Sequence, residues 1–345
     1  MERDANILPI TLGIETSCDE TAVAVLEGPN RLLGHALASQ VTDHRRFGGV
    51  VPEVASRLHL ETLDPLLTDA LAEAGLPLSR VDAVAVTSGP GLIGAVLVGL
   101  CYAKALAWGL GVPFIGVNHL EAHVAAALLE RPDMRFPFLA LVVSGGHTSL
   151  YRVDEGLKFT SLGRTVDDAA GEALDKGAKM LGLPYPGGPE IERLSRGGDK
   201  AAIPFPRAWL GERLDFSFSG LKTSLRTHLD KHPPTSGDMP DIAASYQEAV
   251  VEVLVKKTLR AAEREGLERI VMVGGVAANG RLRGVLGEHA EREGCELLVP
   301  PPALCTDNAA MVAAAGYLRL GLNGASDLSL DARARAPLND AEAVG

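Results

Sequence analysis

The hydrophobic positions of the chain form short apolar runs, typical of buried strands, that alternate with stretches of helical spacing. In the first half these patterns predict strands at residues 7–15, 22–26, 32–39, 81–87 and 113–117 and helices at residues 52–74, 93–108 and 124–129. The first two strands flank the polar stretch T-S-C-D-E-T, which predicts a hairpin with Asp19 and Glu20 near its tip. A glycine-rich turn, S-G-P-G-L-I-G, precedes the second helix. Its backbone amides would be able to approach an anion, although an ordinary strand-to-helix turn has the same pattern.

The second half repeats this order of elements, though not the letters. It predicts strands at residues 138–143, 149–153, 269–273 and 295–299, a helix that ends near residue 293, and a helix at residues 309–320. About 59 extra residues separate its hairpin from its glycine-rich turn and predict a helical insert at about residues 164–246. Two such halves predict a duplicated α/β fold with a ligand cleft between domains 1–134 and 135–322. We leave open whether the tail, residues 323–345, returns to the first domain.

Composition narrows the possible functions. The 345 residues are 46% hydrophobic and 22% charged, as in a globular protein, and 33 basic and 44 acidic residues give a net charge of −11. Such an acidic chain binds nucleic acid only through a local basic patch or a basic partner. The four scattered cysteines and the lack of a signal-peptide pattern favour a cytoplasmic protein with reduced thiols. The apolar residues 92–103 are too few to span a bilayer and predict a buried helix.

The hexapeptide N-H-L-E-A-H at residues 118–123 is the strongest candidate for chemistry. On a helix, His119 and His123 lie one turn apart, so both imidazoles project from one face and can share a transition metal with a third ligand. Two polar residues on an exposed first turn have the same spacing. Glu121 stands at the wrong offset for the H-E-x-x-H motif of zinc proteases, because at i+2 it points away from the histidine face.

Eight motifs occur in order along the chain. They are G-I-E-T-S-C-D-E-T (13–21), N-H-L-E-A-H (118–123), V-S-G-G-H-T (143–148), D-D-A-A-G-E-A-L-D-K (167–176), Y-P-G-G-P (185–189), F-S-F-S-G-L-K-T (216–223), G-G-V-A-A-N (274–279) and C-T-D-N (305–308). Together they resemble the universal tRNA adenosine threonylcarbamoyltransferase family, bacterial TsaD type, over about residues 8–322. The resemblance implies two ribonuclease H-like domains of the actin, Hsp70 and sugar-kinase class.

The resemblance also implies a reaction. The threonylcarbamoyl group of threonylcarbamoyl-adenylate would pass to the exocyclic amine of the adenosine just 3′ of the anticodon, in tRNAs that read ANN codons, and AMP would leave. The implied partners are tRNA, a paralogue without the metal site (TsaB type), a small ATPase (TsaE type) and the enzyme that makes the adenylate. No membrane partner is implied.

Site residues follow from the same resemblance. His119, His123 and Asp307 would hold one divalent metal ion, iron before zinc, although Asp307 also has the position of an N-cap for the helix at residues 309–320. The residues implied around the nucleotide, which Mg²⁺ could accompany, are Val142, Val143, Ser144, Gly145, Gly146, Asp175, Gly188, Glu192 and Asn279. Purely structural roles also fit these positions: a hairpin turn at 142–146, a solvated helix face at Asp175 and an N-cap at Asn279.

Asp19 and Glu20 are candidate catalytic carboxylates that would orient the incoming amine or take its proton, although an acidic surface turn fits equally. Cys18 is not expected to be a nucleophile, because no histidine is near it in the sequence. Two other functions fit the predicted fold. A kinase or ATPase would turn over ATP without tRNA, and a non-catalytic scaffold would tolerate the loss of both histidines.

Overall fold

The computed structural model describes residues 8–338, and this part of the chain contains ten strands and eleven α-helices. The strands are β1 (Ile10–Glu15), β2 (Glu20–Glu27), β3 (Arg31–Ser39), β4 (Ala83–Gly89), β5 (Phe114–Asn118), β6 (Phe138–Val143), β7 (Thr148–Asp154), β8 (Lys158–Arg164), β9 (Arg269–Val273) and β10 (Glu296–Leu298). The helices are α1 (Val41–Arg45), α2 (Pro52–Ala74), α3 (Ile93–Leu110), α4 (His119–Glu130), α5 (Ala170–Met180), α6 (Gly187–Ser195), α7 (Ser219–Lys231), α8 (Met239–Glu265), α9 (Gly280–Arg292), α10 (Pro302–Cys305) and α11 (Ala309–Asn323). Residue 7, the predicted start of the first strand, lies outside the described residues.

The two sheets have the same connectivity. In the sheet ordered β3-β2-β1-β4-β5, the first three strands are antiparallel neighbours, and β1, β4 and β5 run parallel. In the sheet ordered β10-β9-β6-β7-β8, β6 takes the place of β1 and each other strand has its counterpart. The predicted duplicated α/β fold is therefore confirmed as a repeat of topology.

Strand β8, the counterpart of β3, has no signal in the sequence patterns. Its residues K-F-T-S-L-G-R lie at the sheet edge, and Gly163 alone among them is buried, so no apolar run marks the strand. It pairs antiparallel with β7, from Ser149 opposite Arg164 to Asp154 opposite Lys158. Helices α5, α6 and α7 and the start of α8 occupy the segment predicted as a helical insert.

The chain forms two compact units, each with its own hydrophobic core. Within residues 8–338, one unit comprises residues 8–134 and 307–338, and the other comprises Arg135–Thr306. The predicted domain boundary at residue 322 thus differs from the structure, because α11 packs on the first sheet. Residues 326–336 also belong to the first unit, where Ser326 N–H donates to the Phe114 carbonyl at 2.8 Å.

Glycines allow α11 to lie directly on the first sheet. A Cβ atom on Gly13 of β1 would be 2.3 Å from the carbonyl oxygen of Ala309, and one on Gly316 of α11 would be 2.2 Å from the Cβ of Ala85. Any larger side chain at these two positions would push the helix away from the sheet. The close contact brings Asp307, two residues before α11, to the carboxyl end of β1.

Helix α3 is the one helix among residues 8–338 with the length and apolar composition of a membrane span. It packs against β4 and α2, and its buried residues include Ala95, Val96, Leu100 and Ala103. The Lys104 ammonium on the same helix hydrogen-bonds to the Leu330 carbonyl. Only 33% of its residues are buried, so α3 packs through one face and is not the fully buried helix that its apolar composition led us to predict.

Candidate metal centre and nucleotide site

The histidine pair lies on the first two turns of α4, directly after β5. Asn118 ends the strand and caps the helix, because its side-chain oxygen accepts a hydrogen bond from Leu120 N–H at 2.9 Å. The cap starts the helix at His119, and the ring centroids of His119 and His123 are 4.7 Å apart. His119 is 6% exposed and His123 is fully buried. The alternative of two polar residues on an exposed turn is therefore wrong.

Asp307 joins the two histidines from the segment between α10 and α11. Its Oδ1 lies 3.2 Å from His123 Nε2 and 3.5 Å from His119 Nε2. Asp307 is not the N-cap of α11, because that position belongs to Asn308, whose side-chain oxygen accepts from Met311 N–H at 2.9 Å. The carboxylate of Asp307 is thereby directed at the histidines rather than at the helix.

The donor set of His119, His123 and Asp307 fits a divalent transition metal, and one ligand atom of each lies within 4.8 Å of the others. Bonds of about 2.1 Å at angles of about 90–110° separate two ligand atoms by roughly 3.0–3.4 Å, close to the two distances at Asp307. Both ring nitrogens of His123 are buried and make no hydrogen bond within residues 8–338. A buried polar atom without a partner costs about 1–3 kcal/mol, and a bond to a metal ion would offset that cost for the one nitrogen that it engages. Iron and zinc are both compatible with two imidazoles and a carboxylate.

Glu15, the last residue of β1, orients His119 from behind. Its Oε2 lies 3.2 Å from His119 Nδ1 and accepts a hydrogen bond from the Thr87 hydroxyl at 2.7 Å. Its Oε1 accepts from Ser17 N–H at 2.5 Å. Because a carboxylate only accepts, His119 Nδ1 carries a hydrogen and Nε2 is the nitrogen that faces Asp307.

The charges of these groups reinforce one another. Burial opposes ionisation of Glu15, but the nearby His119 outweighs it and lowers the pKa of the Glu15 carboxyl. Burial likewise disfavours the imidazolium of His119, but the carboxylates of Asp307 and Glu15 together raise the pKa of His119 to about 9. Glu15 was not among the predicted site residues, and its one signal in the sequence was its place in the first motif, at the end of an apolar run.

Asp19 and Glu20 lie where β1 turns into β2, in the same unit as the histidine pair. Burial and the negative charges of Asp19 and Asp307 raise the pKa of Glu20 to about 9. A carboxyl with a raised pKa holds its proton more readily, so Glu20 is better suited to donate a hydrogen bond than to take a proton. Burial, with the charge of Asp19, also raises the pKa of the Cys18 thiol well above its ordinary value. A thiol of this kind is a poor nucleophile, in line with our expectation.

A buried histidine of α2 holds this turn in place. His59 Nε2 donates to the Cys18 carbonyl at 3.0 Å, and its Nδ1 accepts from the Thr21 hydroxyl at 2.7 Å. The Gln40 amide nitrogen lies 3.3 Å from the same Nδ1. The two ends of the turn that carries Asp19 are thus fixed to one side chain. Sequence reasoning missed His59 because its partners lie 41 and 38 residues away along the chain.

In the second unit, the predicted nucleotide residues of the V-S-G-G-H-T motif form the turn between β6 and β7. Val142 and Val143 are buried in β6, and Ser144 N–H closes the turn by donating to the His147 carbonyl at 2.8 Å. Gly145 and Gly146 are exposed, and a Cβ atom on either would have no other atom within 4 Å. The segment is thus a hairpin turn whose glycine backbone is open to an approaching ligand.

Asp175 does not lie on a solvated helix face. From α5 its Oδ1 accepts hydrogen bonds from Gly187 N–H at 2.7 Å and Gly188 N–H at 3.3 Å, which anchors the start of α6. Gly188 itself leaves room for a ligand, because a Cβ atom there would find its nearest neighbour, Leu174 Cδ1, at 3.9 Å.

Glu192 and Asn279 meet at the start of α9. Glu192 Oε1 accepts from Gly280 N–H at 3.1 Å. Asn279 is the N-cap of α9, with its oxygen accepting from Leu282 N–H at 2.9 Å, while its Nδ2 donates to Gln247 Oε1 at 2.9 Å. Since α5 contacts both α6 and the short 3-10 turn before Asn279, the predicted nucleotide residues lie on adjoining elements of one unit.

Comparison with known proteins gives one consistent result for the sequence. The model of the family described as TsaD, tRNA N6-adenosine threonylcarbamoyltransferase, matches residues 31–314. A protein of that name from Syntrophus aciditrophicus (strain SB) is 52% identical over 96% of this chain and 98% of its own length. Another, from Anaeromyxobacter dehalogenans (strain 2CP-1), is 55% identical over 93% of this chain and 97% of its own length.

Solved structures support the fold alone, because their sequences are distant. Full-length HypF in its phosphate- and nucleotide-bound form aligns with 93% of this chain at a TM-score of 0.62 and 13% identity, over 48% of its own length. Component A of (R)-2-hydroxyglutaryl-CoA dehydratase from Acidaminococcus fermentans aligns with 91% of this chain and 99% of its own at a TM-score of 0.55 and 17% identity.

Proposed function

We infer the roles of individual residues from one premise: the chain belongs to the TsaD family, the tRNA N6-adenosine threonylcarbamoyltransferases, and is a transferase that acts on adenosine in tRNA. The observation that carries the proposal is the group formed by the buried His119 and His123 and the half-buried Asp307, with Glu15 behind His119. A phosphoryl-transfer enzyme would be expected to hold Mg²⁺ through oxygen ligands instead.

The proposed donor is threonylcarbamoyl-adenylate, and the acceptor is the adenosine 3′-adjacent to the anticodon in tRNAs that read ANN codons. The N6 nitrogen forms a bond to the carbamoyl carbon, the bond from that carbon to the phosphate oxygen breaks, and AMP leaves with the electron pair. The amine gives up one proton in the same process. An adenosine in a single-stranded loop can reach the site without opening a duplex.

The metal-binding residues would be His119, His123 and Asp307. A divalent ion held there would supply Lewis-acid polarisation of the threonylcarbamoyl carbonyl. Glu15 holds the hydrogen on His119 Nδ1, so Nε2 is the nitrogen that would give up its proton to bind a metal ion, and Asn308 keeps Asp307 turned toward the histidines. These two residues place the ligands, whereas the ion's identity is set by its supply and by the donor set, which admits iron and zinc.

The nucleotide part of the donor would be bound by the second unit. Backbone N–H groups of Ser144, Gly145 and Gly146 would contact it at the β6–β7 turn, where the glycines permit close approach. Gly188 leaves space beside α6. The side chains of Asp175, Glu192 and Asn279 hold the surrounding backbone through the hydrogen bonds described above, and we propose that they contact the ribose and adenine with their remaining polar capacity.

The proton released by the amine would go to Asp19. The raised pKa of Glu20 makes that carboxyl better suited to donate a hydrogen bond. His59 positions Asp19, because it holds the carbonyl of the preceding residue, Cys18.

The test combines genetics with analysis of tRNA. The protein is depleted in its host, and threonylcarbamoyladenosine in digested tRNA is measured by mass spectrometry after rescue with each variant. Wild type should restore the nucleoside, and His119→Ala/His123→Ala should not. A matched control is His228→Ala/His232→Ala. These two histidines are also four residues apart, and their ring centroids are 5.2 Å apart, but Asp307 is not beside them. Rescue by the first variant would refute the role of the histidine site.

Partner proteins are part of the proposal. Leu60 of α2 and Ile93 and Leu97 of α3 are 68%, 52% and 45% exposed, and α2 and α3 pack side by side. We propose that this apolar face binds a paralogue that lacks the metal site, and that the complex forms in the cytoplasm. A small ATPase and an adenylate-producing enzyme would complete the system. Leu60→Asp/Leu97→Asp should abolish co-elution with the paralogue, whereas Leu328→Asp, which also changes an exposed leucine, should not.

A further inference from the structure

A groove in the second unit has the composition of a nucleic-acid contact and is not used by the metal or nucleotide sites described above. It lies between α8 and the loop that precedes α7, encloses about 400 Å³, and is lined by Arg207, Trp209, Gly211, Glu252, Lys256, Lys257 and Arg260. We call it the Trp209 groove. Its volume is in the lower part of the range of about 300–1,000 Å³ that is usual for ligand pockets.

A buried lysine builds the groove. Lys257 is 3% exposed, and its ammonium donates to the carbonyls of Trp209 at 2.9 Å and Arg213 at 3.2 Å, and to that of Asp215. The three bonds tie the loop to α8. The backbone that carries Trp209 is therefore held in place before any ligand arrives, which reduces the entropy that binding must overcome.

The walls of the groove combine an aromatic ring with cations. Trp209 is 39% exposed, and the Lys256 ammonium lies 5.0 Å from the centroid of its ring. Lys256 Nζ and Arg207 Nε donate to the two oxygens of Glu252, at 2.7 and 2.9 Å. Arg260 donates to the Gly211 carbonyl at 3.3 Å.

The charge of the groove opposes that of the chain. Its four cations outnumber the three acidic groups beside them, which are Glu252 in the lining, Glu212, which pairs with Arg260, and Asp215, whose charge acts on Lys257. The chain as a whole has a net charge of −11, so a local excess of positive charge is what binding to RNA requires. The negative charge of Glu252 repels bound phosphates. This repulsion is stronger for a triphosphate, whose charge is concentrated, than for a phosphodiester chain with one charge per nucleotide.

We propose that the Trp209 groove binds tRNA outside the reaction centre, with Lys256 and Arg260 on backbone phosphates and Trp209 stacked on an unpaired base. Groups of cations beside an exposed aromatic ring are the usual means of binding single-stranded nucleic acid. The proposal rests on the proposed function, because it takes tRNA to be the substrate.

The experiment measures the KM for tRNA in the complete transferase reaction, with the full chain, its partners and saturating adenylate. Trp209→Ala should raise that KM at least about fivefold, the low end of the range for a lost base stack. Lys256→Gln/Arg260→Gln should raise it and should also reduce the slope of log KM against log salt by about 1.4, for two phosphate contacts on a single strand. The KM for the adenylate should not change in either variant.

Controls remove an aromatic residue and a pair of cations from other exposed positions. Phe47→Ala, at an aromatic residue that is 48% exposed and, like Trp209, has a cation beside its ring, and Lys158→Gln/Arg292→Gln should leave the KM for tRNA within about twofold of wild type. Melting temperatures of all variants serve as the check on folding.

Two results would overturn the proposal. One is an unchanged KM for tRNA in both groove variants. The other is a loss of activity that excess partner protein restores and excess tRNA does not, which would make the groove a protein-docking surface. The proposed function fails separately: in that case wild type itself would transfer nothing, or His119→Ala/His123→Ala would remain active.

Discussion

Replacing Glu15 by glutamine tests the idea that a buried carboxylate prepares His119 for metal binding. Three donors converge on the Glu15 carboxylate, namely Ser17 N–H, the Thr87 hydroxyl and His119 Nδ1. Glutamine has the same shape but offers one oxygen and one NH₂ group. If the oxygen stays on Ser17, the NH₂ group faces His119 and forces Nδ1 to accept. The hydrogen then moves to Nε2, the nitrogen that faces Asp307, and blocks it as a ligand.

The size of the effect follows from this change of tautomer. Loss of a group that orients a metal-binding histidine weakens metal affinity by about 10- to 100-fold, or about 1.4–2.7 kcal/mol. If the amide is reversed, Ser17 N–H loses its acceptor instead, and a buried donor without a partner costs about 1–3 kcal/mol of folding stability. Either orientation therefore carries a measurable cost.

The assay is a titration of protein stripped of metal with Zn²⁺ in competition with a coloured chelator, together with denaturant unfolding. The control is Glu121→Gln. Glu121, on α4 between the two histidines, is a fully buried carboxylate like Glu15, but its partner is the guanidinium of Arg319. We expect this control to lower stability and to keep the metal Kd within about twofold of wild type. Equal metal affinity in Glu15→Gln and wild type, or equal losses in both variants, would refute the reasoning.

Three further predictions concern the elements that support the sites. Asn308→Ala removes the cap of α11, so it should lower the free energy of unfolding by about 1 kcal/mol and weaken metal binding. Asn308→Asp keeps a capping oxygen and should preserve both the stability and the metal affinity. Unchanged metal binding in the alanine variant would contradict the role given to the cap. Gly13→Ala places a Cβ atom 2.3 Å from the carbonyl oxygen of Ala309 and should lower the free energy of unfolding by about 1–3 kcal/mol. The control is Gly109→Ala, where the space around the new Cβ atom is open, and it should leave the free energy of unfolding nearly unchanged. Asp167→Ala removes hydrogen bonds to Phe218 N–H and the Ser219 hydroxyl at the start of α7 and should cost about 1 kcal/mol at pH 7. Burial opposes the ionisation of Asp167, but the serine hydroxyls outweigh it and lower its pKa, so the stabilisation is present above the ordinary value of 3.8 and is lost as the pH falls through the folded value. The stability gap between this variant and wild type should therefore close below about pH 3.8, and a gap that persists there would show that the charge is not its source.

Much of the secondary structure could be predicted because it depends on local spacing. The helix predicted at residues 52–74 and the strands predicted at 138–143 and 269–273 have the same bounds in the structure. Strong apolar periodicity carried these predictions. Strand β8 could not be predicted from apolar spacing, because an exposed edge strand has almost no apolar pattern. It forms through its pairing with β7.

The histidine helix shows the same division within one site. The i, i+4 spacing of His119 and His123 and the Asn118 cap are local, so the sequence by itself determined that both imidazoles leave one face of a helix. Whether that face met solvent or a carboxylate was not local. Glu15 and His119 are 104 residues apart in the chain, and their contact exists only because β1 and β5 end at the same edge of the sheet.

What the sequence alone determined was therefore the order of the elements, the duplication and the chemical types available for a site. Tertiary structure decided that Asn308 and not Asp307 caps α11, that Asp175 anchors α6, that α11 completes the first unit, and that a lysine builds the Trp209 groove in an acidic chain. The physical reason is that helices and strands form through contacts between near neighbours. The partner of a polar side chain, by contrast, is set by which elements pack together, and that packing is a property of the whole fold.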